Sequence, residues 1–110
     1  MAKAKKSEHI VVLITVADEE EAHLISRLLL KQKKAACSNI IFGVNSLFCW
    51  RGKIDSEHES LLFIKTRAAL LDEITQLVKE VHSYDVPEII ALPIIGGNQD
   101  YLEWISGETG

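Results

Sequence analysis

The chain of 110 residues lacks most of the features that mark a specialised class. It has only two cysteines, Cys37 and Cys49. That is too few for a disulfide scaffold and fits reduced thiols in a cytoplasmic protein. Positive charge is not in excess: 12 Lys and Arg stand against 16 Asp and Glu, for a net charge of -4. A nucleic-acid binder needs a basic face to collect phosphates, so that class is excluded. Long hydrophobic runs are missing as well. Ile10–Ile14 and Ile89–Leu92 fall far short of the roughly 20 residues that cross a bilayer, so no membrane span is expected. The lysine-bearing start, MAKAKKSE, is not followed by the apolar segment of a leader. Catalytic signatures are also wanting. There is no G-x-S-x-G, P-loop, H-E-x-x-H or C-x-x-C. With no nucleophile–base pair in view, the chain does not read as an enzyme.

What is present reads as one domain over residues 9–110, preceded by a basic, solvated tail at 1–8. His9–Val16 is rich in β-branched residues and predicts a buried strand. Asp18 with Glu21 has capping-box spacing and opens a helix whose Ala22, Ile25, Leu28 and Leu29 share one face. Ala35–Trp50 reads as extended, with a bend or bulge at Gly43 and Asn45. Arg51-Gly52-Lys53 is a hairpin signal, and Ile54–Lys65 is the return strand. Thr66 is placed as the cap of a second helix with the stripe Leu70, Ile74, Leu77, Val78 and Val81. Glu88–Ile95 predicts a fourth strand, at a sheet edge because of Pro93. Asp100–Ile105 predicts a short last helix.

The order β-α-β-β-α-β-α is the split βαβ, or ferredoxin-like, α+β arrangement: a four-stranded antiparallel sheet with helices on one face. Two helices cover only one face of such a sheet, so its strands should alternate apolar and polar. HIVVLITV and EIIALPII do not alternate. The second face therefore needs a cover, and the simplest cover is another copy of the chain. The last helix is too short to span the sheet.

Candidate chemistry is sparse. Cys37 and Cys49 lie 12 residues apart on one long strand, too distant to share a ligand, and each reads as a small hydrophobe. In Asp55–Ser60, three carboxylates share one strand face and His58 lies on the other. That pattern suits a solvated hairpin stem. His82 is the best candidate metal ligand, at a helix C-terminus where the dipole favours a cation. Asp85 and Glu88 are possible helpers, in a mix that suits copper, and less well zinc. Trp50, Lys65, Arg67 and Tyr84 are candidates for a small-molecule cleft at a subunit boundary, and Gly96-Gly97 follows the last strand.

Several stretches resemble the CutA family of divalent-cation tolerance proteins. They are Val12–Val16 with Asp18-Glu19, Ala35–Ile41, Trp50–Ile54, Ile64–Thr66, His82–Ile90, Leu92–Ile95 and Asp100–Ile105. The similarity runs over about residues 9–106. It implies a ferredoxin-like subunit in a tight homotrimer joined through long strands, with its sheets facing inward. It also implies a role in tolerance of copper and other divalent cations, with metal binding but no obligatory cofactor. Copper ligation in the family is attributed to a Cys in the first strand and a His pair before the Tyr. Those positions here hold Ile14, Val81 and His82. The trimer architecture is shared with the PII signalling proteins, which bind small effectors in clefts between subunits. A PII-like sensor of an anionic effector, and a structural or scaffolding trimer, are the two alternative functions.

Overall fold

A computed structural model of the chain describes residues 7–110. The elements run β1 (His9–Val16), α1 (Glu19–Lys31), β2 (Cys37–Trp50), β3 (Lys53–Arg67), a 3-10 turn (Ala68–Leu70), α2 (Leu71–Val81), β4 (Ile89–Pro93) and α3 (Gln99–Glu108). The four strands form one sheet in the order β2-β3-β1-β4, with every neighbouring pair antiparallel. This is the α+β, split βαβ arrangement expected from the element order. β4 lies at an edge, where Pro93 is tolerated.

One sheet face carries the core. Ile10, Val12, Ile14 and Val16 of β1 alternate inward with Leu62 and Ile64 of β3. Ala22, Ile25 and Leu29 of α1 and Ile74 and Val78 of α2 pack onto them. Asp18 caps α1 as its spacing implies: Oδ1 accepts from the Glu21 N–H at 2.8 Å. Thr66 does not cap α2. Its hydroxyl donates to the Lys34 carbonyl at 2.5 Å, and α2 starts five residues later, after the 3-10 turn. Thr66 is still within β3, and the N-cap positions fall later, at Arg67 for the 3-10 turn and at Leu70 for α2, with no side-chain cap at either.

The other face is wide and apolar. Opposed residues run across it in rows, Cys37–Lys65–Val11–Leu92 and Asn39–Phe63–Leu13–Ile90. The expectation that helices occupy one face holds for α1 and α2 only. α3 is longer than its sequence signal, begins on an Asn98 side-chain cap, and lies over one end of this second face. His9 Nε2 meets the Ser106 hydroxyl at 2.8 Å. The Arg67 guanidinium donates to the Thr109 hydroxyl at 2.9 Å and to its carbonyl at 2.5 Å. Ile105 is fully buried there, apart from the main core. The rest of the face stays open, with Ile90 and Leu92 half exposed.

β2 and β3 run past the helices as a two-stranded arm, Val44–Trp50 paired with Lys53–Glu59. Its tip is a two-residue turn, with Arg51 at φ 50° and Gly52 at φ 78°. Both positive angles belong to a type I′ turn, whose twist matches the strands it joins. Its base is a β-bulge: Ile41 opposes Leu61 and Val44 opposes Glu59, so Phe42 and Gly43 face one residue, Ser60. Gly43 takes φ 68°, an angle that favours glycine. Leu47 and Ile54 on the arm are 75% and 77% exposed.

The tail expected at 1–8 falls mostly outside the described residues. At its end, the Glu8 carbonyl accepts from the Ala68 N–H at 2.7 Å.

Candidate functional site

The polar side chains that converge do so where the body meets the arm. α1 begins there, α2 ends there, and the loop into β4 starts there. Glu21, in the first turn of α1, is the anchor. Its carboxylate accepts from the Ala17 N–H at 2.9 Å, from the Ser83 N–H at 2.7 Å and from the Ser83 hydroxyl at 2.9 Å. Burial pushes the Glu21 carboxyl up, but these hydrogen bonds outweigh it and hold it below the usual range.

His82 ends α2. Its N–H donates to the Val78 carbonyl, and its backbone then turns extended. Its side chain has no exposed surface. Nε2 lies 2.8 Å from the Thr15 carbonyl, and Nδ1 lies 3.0 Å from the Tyr84 N–H. A carbonyl only accepts and an N–H only donates, so the partners assign the neutral ring with its proton on Nε2. Both ring nitrogens are occupied. Asp85 and Glu88 are exposed, and neither bonds to His82. The carboxylate at its ring is Glu21, with Oε2 at 3.9 Å from Nδ1. The helper pair expected from sequence is therefore not assembled, whereas Glu21, read there only as a capping residue, is.

Tyr84 stacks at a tilt on His82, with ring centroids 4.8 Å apart. Its hydroxyl donates to Glu59 Oε1 at 2.8 Å, and the Ser46 hydroxyl donates to Oε2 at 2.6 Å. Burial, then the bond to Glu59 and its charge, push the phenol well above its ordinary range. Ser46 escaped the sequence reading, and Glu59 entered it only as one of the three carboxylates of the hairpin stem. The signal was there: Glu59 is the last carboxylate before the inward alternation of Ser60, Leu62 and Ile64 begins.

The other cleft candidates are not gathered with Tyr84. Trp50 sits at the arm tip with the Arg51 guanidinium 5.6 Å from its ring centroid. Arg67 is spent on Thr109. Lys65 lies on the second sheet face, beside Cys37 and Val11. Cys37 and Cys49 are free thiols at opposite ends of β2, as the long-strand reading requires. A pocket of about 240 Å³ lies beside Glu21, lined also by Asp18, Glu20, Leu24, Val81 and Ser83. A larger one of about 420 Å³ lies at the far end of β1, next to Gly96-Gly97. Among the described residues, no three His, Cys, Asp or Glu side chains come together as a metal cluster. Among the described residues, no helix is long and apolar enough to cross a membrane.

Similarity to known proteins agrees with this architecture. The family model described as "CutA1 divalent ion tolerance protein" matches residues 10–108. A chloroplastic CutA 1 protein of Oryza sativa is 49% identical over 100 residues, covering 91% of this chain and 56% of that protein. A chloroplastic CutA of Arabidopsis thaliana is 45% identical, covering 96% and 58%. The chain thus spans little more than half of those plant relatives. The divalent-cation tolerance protein CutA of Thermus thermophilus is 44% identical, and 97% of it is covered. The solved structure of a Thermus thermophilus CutA1 superposes with a TM-score of 0.91 at 43% identity, covering 93% of this chain and 99% of that one. The Oryza sativa CutA1 structure gives 0.91 at 46% identity, covering 97% and 98%. With both the sequence and the sheet order in agreement, the chain belongs to the CutA1 divalent ion tolerance family.

Proposed function

We propose that the chain acts in divalent-ion tolerance as a homotrimer that binds metal weakly and catalyses no reaction. The observation that carries this reading is the apolar surface left bare by one subunit. Ile90 and Leu92 on the second sheet face, and Leu47, Phe48, Trp50 and Ile54 on the arm, are too many to leave in water. Further copies of the same chain, joined head to tail in a closed ring, would cover them.

The metal reading centres on His82 with Glu21. Copper at Nδ1 has to displace the Tyr84 N–H, and this cost supports weak binding. Zinc is the less favoured ion. The two free thiols fit a reducing compartment, so the cytoplasm is the proposed location.

Native mass spectrometry with added copper tests both parts. The expected mass is three times 12.3 kDa, with copper bound by the wild type and at least about tenfold more weakly by His82→Ala. A stable single-chain mass removes the trimer, and equal affinity in the two proteins removes His82. A PII-like sensor is the second reading. It is favoured by Lys65, which has no ion-pair partner among the described residues and sits on the face a neighbour would cover. A thermal-shift screen of nucleotides and other small anions that stabilises nothing counts against it.

A further inference from the structure

The second sheet face carries one cation without a counter-charge. Lys65 stands half-buried in the row Cys37–Lys65–Val11–Leu92, and no carboxylate lies within ion-pair distance of it among the described residues. The next cation along that side of β3, Arg67, is committed to Thr109. When another copy covers this face, the Lys65 ammonium loses water, and the cover has to return a negative charge.

Unmatched negative charge lies on the same side of the same strand. β3 alternates with period two, so Asp55, Glu57 and Glu59 share the side of Leu61, Phe63 and Lys65. Two of these carboxylates are engaged. Glu59 accepts from Tyr84 and Ser46, and Asp55 accepts from the Ser56 N–H at 2.8 Å. Glu57, exposed between them and opposite Ser46, has no ion pair or side-chain hydrogen bond among the described residues. Phe48, opposite Asp55, adds apolar surface beside it.

Glu57 and Lys65 cannot meet within one chain. Eight strand residues separate them, roughly 26 Å along β3, far beyond the reach of the two side chains. Between copies the separation becomes useful. A head-to-tail contact joins two different patches, and repeating it around a three-fold axis closes a ring that uses each patch once.

We infer that the Lys65 ammonium of each subunit pairs with the Glu57 carboxylate of the next, with the arm of one copy seated on the second sheet face of its neighbour. The inference rests on the homotrimer reading and names the contact that fixes which way round the copies join. Lys65 against Lys65, or one carboxylate stem against another, is penalised by repulsion. The pair also gives to a neighbour's carboxylate the cation that the sensor reading gives to a small anion.

Sedimentation of the full chain in a urea series is the test. Lys65→Glu and Glu57→Lys should each lower the urea midpoint at which the three-chain mass is lost. The double variant Lys65→Glu/Glu57→Lys should recover most of that midpoint, because the pair re-forms with its signs exchanged. A double variant no better than the weaker single overturns the pair, and so do single reversals that leave the midpoint unchanged. Lys65→Met and Glu57→Gln, which keep size and remove charge, cover the case in which a reversal fails to fold. Each should lower the midpoint, and their combination should lower it no further than either one; additive losses overturn the inference. A wild type that sediments as a single chain without urea is a separate outcome, which removes the trimer reading and the inference with it.

Discussion

The body and the arm use the same pairing of β2 with β3 and live by different rules. In the body, each strand has a helix layer over one face. The residues that point into that layer, Val12, Ile14, Leu62 and Ile64 among them, have no exposed surface. In the arm the strands keep their ladder and lose their cover. Side chains point to both sides without a core, and Leu47 and Ile54 stand in solvent. The difference teaches that backbone pairing alone does not define a buried sheet. What defines it is a second layer, and one chain supplies that layer for only part of the sheet.

The largest effect is expected where the body is most tightly packed. Ile14→Ala removes a fully buried side chain between the helices and the sheet. It should lower unfolding free energy by about 3–4 kcal/mol in denaturant titration. A loss under about 1 kcal/mol contradicts the picture of a close-packed face.

The joint between the regions comes next. Glu21 is held below its ordinary carboxyl range, so its folded pKa lies under its unfolded one. Its contribution is fully present above the unfolded value of 4.5 and is lost as pH falls through the depressed folded value. Glu21→Gln should cost roughly 1–2 kcal/mol at neutral pH, measured by urea midpoints, and that difference should shrink in acid. A gap between the two proteins that stays constant down to low pH breaks the assignment.

The smallest effect on the fold belongs to the arm. Leu47→Ser should change the helical circular-dichroism signal not at all, because no packed layer rests on Leu47. On the proposed trimer reading, its effect should show in native mass, which should drop towards that of a single chain. A melted helix signal at unchanged mass sharpens the comparison the other way, by making the arm part of the folding core.

Much of the body was legible in the sequence because periodicity reports burial. β1, α1 and the α2 stripe follow directly from spacing in HIVVLITV, Ala22–Leu29 and Leu70–Val78. Turn chemistry located the hairpin at Arg51-Gly52, and Gly43 marked the bulge. Helix ends were harder. Thr66 has the residue type of a cap, but β3 runs on to Arg67 and a 3-10 turn delays α2 to Leu71. The reach of α3 over the second face depends on Arg67, His9 and Cys37 lining up under it. That alignment comes from strand register and not from any local pattern.

The site was half legible. The sequence singles out His82 as a candidate metal ligand and Tyr84 as a candidate cleft residue, and the structure stacks the two rings. Their partners Glu21 and Glu59 sit 61 residues before His82 and 25 before Tyr84, in segments with ordinary local explanations. A carboxylate at a helix start and a carboxylate on a hairpin stem each had a sufficient reason to be there. Only the fold brings both to the loop after α2. Conversely, Asp85 and Glu88 were favoured for nearness in sequence, and an extended backbone after His82 points successive side chains in different directions.

The bulge at Phe42–Gly43 also acts as a phase shifter. Before it, the odd-numbered residues of β2, such as Asn39 and Ile41, share a face with Leu61 and Phe63. After it, the even-numbered ones do: Val44, Ser46 and Phe48. Deleting one residue there would equalise the count on the two strands and remove the bulge, leaving Val44, Ser46 and Phe48 opposite Glu59, Glu57 and Asp55 as they are now. What the extra residue adds is a bend and a stronger twist at the root of the arm, while the pairing of the arm is set from its other end, by the Arg51-Gly52 turn.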